Sequence, residues 1–81
     1  MKHRIISEDN IGSHQFNIQI ELIPNNDEEV QIIKKVESIS ASDEERQLID
    51  NYLSFCLGER YSIVNLNWQK GNRFEIKAFK N

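Results

Sequence analysis

The sequence predicts a single α+β domain, residues 1–81, in which an antiparallel sheet is covered on one face by helices. Three observations carry that prediction. Apolar and polar side chains alternate with a period of two in two separate stretches, one near the start and one at the end. Between them lies a segment with helical spacing and a complete capping signature. With 81 residues, 38% hydrophobic and 28% charged, the chain has material for one core but not for two.

Lys2–Ser7 predicts a short first strand, and Glu8-Asp9-Asn10-Ile11-Gly12-Ser13 carries the turn chemistry expected to end it. His14–Ile23 is the clearest strand. Phe16, Ile18, Ile20 and Leu22 alternate with Gln15, Asn17, Gln19 and Glu21, the pattern of a sheet covered on one side only.

The segment Asp27–Ile39 admits two readings. As a helix, Ile32, Ile33, Val36 and Ile39 share one arc, Asn26 caps the start, and Asp27-Glu28-Glu29 fill a first turn that favours negative charge. As a strand, its many β-branched residues suit the pleat, and Pro24-Asn25-Asn26 becomes a hairpin turn. The strand alternation is poor, so periodicity favours the helix. The expected order is β-β-α-α-β-β, with four strands and two helices; the alternative is β-β-β-α-β-β, with five strands and one helix.

The second helix has firmer boundaries. Ser42-Asp43-Glu44-Glu45 is a capping box, and Leu48, Ile49, Tyr52, Phe55 and Cys56 form one apolar face over Asp43–Leu57. Gly58 stands where the chain is expected to leave through the left-handed region.

The end of the chain predicts a second hairpin. Val64, Leu66 and Trp68 alternate with Asn65 and Asn67; Phe74, Ile76 and Ala78 alternate with Arg73, Glu75 and Lys77. Cross-strand partners share a face, so Trp68 must oppose an even-numbered residue such as Phe74, with Leu66 opposing Ile76. That requires a loop of odd length, most simply Lys70-Gly71-Asn72 with Asn72 left-handed. The expected core is Phe16, Ile18, Ile20, Leu22, Ile49, Tyr52, Leu53, Cys56, Leu66, Trp68, Phe74 and Ile76.

Function is less legible. The net charge of −3, the absence of a long apolar run and the plain start at Met1-Lys2-His3 point to a cytoplasmic protein with no membrane partner. Read from Met1 to Asn81, the chain has the look of a complete small gene product. The single cysteine, Cys56, rules out an intrachain disulfide. His3, His14 and Cys56 show no local ligand spacing, so no metal and no cofactor is expected. There is no phosphate-cradling loop, zinc-helix motif or nucleophile elbow, and no catalytic residue is assigned.

Binding is what remains. Asp27-Glu28-Glu29 and Asp43-Glu44-Glu45 resemble the anionic clusters of a nucleic-acid mimic, but their spacing puts them at opposite ends of one element. Lys77 and Arg73, with Phe79 and flanking amides, could hold single-stranded nucleic acid on the outer sheet face, yet too few cations are offered to neutralise a phosphate backbone. The preferred expectation is protein–protein contact by an inhibitor or antitoxin-like regulator of bacterial or phage type. Its expected contact residues are Arg73, Lys77, Phe79, Asn65, Asn67, Asn17 and Gln19. Tyr61, Ile63, Ile23 and Phe79 are expected on that polar face or at strand ends. The sheet edges offer a second partner, another copy of the chain.

Overall fold

The computed structural model describes residues 1–69 and 71–81. In chain order they form β1 (Lys2–Gly12), β2 (Gln15–Ile23), α1 (Asp27–Glu37), α2 (Asp43–Leu57), β3 (Tyr61–Trp68) and β4 (Arg73–Lys80). The strands make one open antiparallel sheet in the order β1-β2-β4-β3. The two hairpins therefore join through β2 and β4, and β1 and β3 are the edges.

The central ladder sets Phe16 opposite Ala78, Ile18 opposite Ile76 and Ile20 opposite Phe74, so one face of the sheet is apolar along its middle. Ile33 of α1 and Ile49, Leu53 and Leu57 of α2 close on that face and exclude water from it. The alternation read from the sequence is thus the alternation between helix side and open side.

Residues 27–37 are helical, which settles the choice between the two readings of this segment. Asn26 is extended and its Oδ1 accepts from the Glu29 amide at 2.9 Å, while the Glu29 carboxylate accepts from the Asn25 amide at 2.8 Å. The helix stops at Glu37, two residues short of Ile39. The Ser38 hydroxyl donates to the carbonyls of Lys34 and Lys35, and the amides of Ser40 and Ala41 both return to the Lys35 carbonyl. Ile39 is then left-handed, with φ 58°, and 79% exposed, not the last member of the buried arc.

α2 has the bounds its capping box predicts, but its apolar face is rotated from the expected one. Ile49, Leu53 and Leu57 are buried, with Tyr52 and Cys56 bordering them. At about 100° per residue, Leu48 and Phe55 lie roughly 100–120° behind Ile49, on the solvent side. They are 56% and 85% exposed. Gly58 also departs from expectation: it is right-handed, with φ −61° and ψ −24°. A Cβ there would stand 2.5 Å from the Ser54 carbonyl oxygen, so close approach requires the glycine, not handedness.

β1 runs through the segment expected to turn. Glu8, Asp9 and Asn10 pair with Ile18, Asn17 and Phe16, with register breaks near Ile6 and Ile11. An edge strand with bulges tolerates such residues, because one side of its ladder is free. The turn is Ser13-His14, with His14 at φ 58°, and β2 starts one residue later than expected.

In the second hairpin Trp68 opposes Phe74 and Leu66 opposes Ile76, as the alternation requires. Gly71 and Asn72 are both left-handed, at φ 75° and 63°. Lys70, the remaining member of the expected loop, lies outside the described residues. A bulge at Val64 then shifts the ladder, so that Ile63 opposes Ala78 and Tyr61 opposes Lys80. Tyr61 and Ile63, expected on the polar face or at strand ends, therefore face the helices, and Tyr61, the first residue of β3, is buried. Trp68 was expected in the core but is 37% exposed, because it ends an edge strand with no neighbour beyond it. Phe16, Tyr52, Cys56 and Leu66 are half-buried at the core's border; Ile33, Leu57, Tyr61 and Ala78 complete it.

Candidate binding face

The outer face of the sheet is built row by row from the ladder. Arg4, Glu21 and Arg73 form one row; Ser7, Gln19, Glu75 and Asn67 the next; then Asp9, Asn17, Lys77 and Asn65; and finally Gln15, Phe79 and Ser62. All seven expected contact residues, Arg73, Lys77, Phe79, Asn65, Asn67, Asn17 and Gln19, lie on this one face. They do so because the hairpins adjoin through β2 and β4.

Its charges are unevenly spent. Glu21 reaches Arg4 at 3.4 Å and Arg73 at 3.8 Å, so the guanidinium of Arg73 is shared within the protein. Among the described residues no ion pair holds Lys77. Beside it, the Asn17 Oδ1 is shielded from solvent and has no hydrogen-bond partner among the described residues. Hydrogen-bonding capacity at this row is therefore not fully used.

Apolar side chains collect at the other end. A hollow of about 140 Å³ is lined by Ile11, Gln15, Phe16, Val64, Lys77, Ala78 and Phe79. Ile11, Val64 and Phe79 are 53%, 62% and 43% exposed. Ile11 and Val64 sit at the register breaks of the two edge strands, and no alternation rule assigns a bulged residue to a face. Sequence reading found Phe79 but missed these two for that reason.

The helix side holds a second cluster that sequence spacing does not reveal. β1 passes beside α2 and brings His3 Nδ1 to 3.1 Å from the Tyr52 hydroxyl and 3.3 Å from Cys56 Sγ. The Tyr52 hydroxyl donates to the Met1 carbonyl at 3.0 Å, so its contact with His3 needs a proton from Nδ1. An Nδ1 that donates has no lone pair to take a thiol proton. The cluster holds the start of β1 on α2, and burial first, then the bond to Cys56, pushes the Tyr52 phenol up to about 12.

A neighbouring set does the same at the other end of β1. Tyr61 donates to Glu8 at 3.0 Å, packs edge-on against Phe16, and lies under Arg60, which itself pairs with Glu8 at 3.2 Å. Burial and the Glu8 carboxylate raise the Tyr61 phenol.

The acidic triplets sit at the starts of α1 and α2. Glu45 is bound into the capping box and pairs with Lys35 at 3.2 Å, and the Asn25 amide holds Glu29, so neither triplet is wholly free. Among the described residues no helix is long and apolar enough to cross a membrane. No protein-family model, curated protein or solved structure matches the chain.

Proposed function

We propose that this chain works by protein–protein contact, occupying a partner's surface with the outer face of its sheet in the manner of an inhibitor or regulator, with no cofactor and no chemistry of its own. One observation supports the reading above others: Ile11, Val64 and Phe79 gather around a hollow whose rim carries the uncommitted Lys77. An aromatic anchor in an apolar patch, bordered by a cation and amides, is the composition of an interface centre with its polar rim. Single-stranded nucleic acid is the weaker reading, because Glu21 engages both Arg4 and Arg73, and Lys77 with Lys2 neutralises little.

The test uses the native chain as bait in a lysate of its host, beside a Phe79→Ala/Lys77→Glu variant and an α1 variant, Lys34→Glu. The expected result is a protein retained by the native chain and by the α1 variant but lost with the Phe79/Lys77 pair. Retention that ignores the outer-face changes overturns the reading. A gel shift with a single-stranded oligonucleotide at low salt, weakening steeply as salt rises, would replace it with the nucleic-acid one.

A further inference from the structure

We infer that two copies of this chain pair through the free edge of β3, antiparallel and with a two-fold axis at Leu66, joining their sheets into one. The opposite edge shows how an unpaired strand is guarded. β1 carries Lys2, Arg4, Glu8 and Asp9 and is broken by register shifts near Ile6 and Ile11. Charges and bulges of that kind spoil a template for a further strand.

β3 has little of this protection. No charged side chain occurs from Tyr61 to Gln69, in a chain that is 28% charged. Beyond the bulge at Val64 its ladder is regular to Trp68. The Gln69 amide donates to the Arg73 carbonyl at 2.6 Å. By the alternation of an antiparallel ladder, the main-chain groups of Asn67 and Asn65 then turn to β4, and those of Leu66 and Trp68 turn outward. Another β-strand is the occupant whose donors and acceptors match that spacing.

A second copy fits it in one register. With the axis at Leu66, each Asn65 lies opposite the partner's Asn67, in the closer type of antiparallel pair, with Cα atoms about 4.5 Å apart. Lys77 stands beside Asn65 and Glu75 beside Asn67 on β4. Each outer row of the joined sheet therefore runs Lys77, Asn65, the partner's Asn67, the partner's Glu75, with opposite charges at its ends. An axis at Asn65 would instead set Lys77 toward the partner's Lys77, and an axis at Asn67 would set Glu75 toward the partner's Glu75. Charge favours Leu66 by a small margin, since the row ends stand about 14 Å apart. The same register places Trp68, 37% exposed, along the seam.

The proposal is independent of what the outer face binds, because the contact is made by the strand edge and read as mass. The full chain is measured by analytical ultracentrifugation, beside Asn65→Glu/Asn67→Glu and Asn65→Glu/Asn67→Lys, with circular dichroism to confirm that both variants fold. The native chain is expected to be a dimer. The first variant sets like charges opposite each other at both Asn–Asn pairs and should weaken the dimer at least about tenfold. The second alters the same two side chains but sets opposite charges together, and should dimerise at least as tightly as the native chain. A native chain still monomeric at about 1 mM overturns the proposal. So does a dimer that tolerates both variants, or one that loses both equally.

Discussion

Ile63 lies opposite Ala78, not opposite Phe79, one residue out of the register that Trp68 and Phe74 set at the hairpin tip. Val64 absorbs the difference. That one extra residue turns Tyr61 and Ile63 toward the helices while leaving Asn65 and Asn67 on the open side, so the bulge lets β3 serve both the core and the outer face.

Removing Val64 should therefore be tolerated. Without it Ile63 and Asn65 are adjacent, opposite Ala78 and Lys77, which are also adjacent, and every other side chain keeps its face. Removing Ser62 instead moves Tyr61 to the outer face and Arg60 inward. Urea denaturation should show a loss of no more than about 1 kcal/mol for the first deletion and about 3 kcal/mol or more for the second. Equal losses would mean that Val64 does not set the register.

Gly58 offers a test in which two rules disagree. Its right-handed backbone, at φ −61°, suits alanine, which ordinarily gains roughly 0.5–1 kcal/mol over glycine in such a conformation. The Ser54 carbonyl, 2.5 Å from where the Cβ would stand, opposes the change. Gly58→Ala should destabilise by about 1–3 kcal/mol as the last turn of α2 is forced open. A raised melting temperature would show that the contact relaxes without cost.

What could be read in the sequence was what periodicity and capping decide. The Ser42 capping box, the β2 alternation and the pairing of Trp68 with Phe74 each follow from local pattern, and each is present. Bulges were illegible: Ile11 lies in the stretch expected to turn and Val64 reads as one more member of the β3 alternation, so the apolar part of the candidate face was missed while its polar part was found. Spatial neighbours far apart in the chain were equally hidden. His3 and Cys56 meet only because β1 crosses beside α2, and neither spacing nor composition encodes that. Leu48 and Phe55 looked buried because an apolar residue on a helix is indifferent to which neighbour it faces until the sheet is in place.

The capping box of α2 should be visible in acid. The Ser42 hydroxyl accepts from the Glu45 amide at 3.1 Å, and the Glu45 carboxylate accepts from the Ser42 amide at 3.0 Å. That amide first, and Lys35 second, hold the Glu45 carboxyl below its ordinary value. A carboxyl lowered on folding stabilises above its unfolded pKa, and the contribution is lost as pH falls through the folded one. Ser42→Ala should cost about 1 kcal/mol at neutral pH. Glu45→Gln should flatten part of the decline in melting temperature between about pH 5 and pH 3. An unchanged acid profile in the Gln variant would remove Glu45 from the source of that decline.

Tyr52 predicts the opposite sign in base. Its phenol is pushed up to about 12, by burial first and then by the bond to Cys56. In the unfolded chain it ionises near about 10. A phenol raised on folding contributes its full stabilisation below the unfolded value and loses it as pH rises through the folded one. Stability should hold to about pH 10 and fall toward pH 12, where an ionised Tyr52 can no longer donate to the Met1 carbonyl. Tyr52→Phe should start lower, because the bonds to Met1 and His3 are gone, and then decline less steeply over the same interval. The slope that remains belongs to Tyr61, which burial raises in the same direction. Denaturant midpoints measured across that interval separate the two cases, and a Phe variant with the native slope would place the alkaline transition away from the junction of β1 and α2.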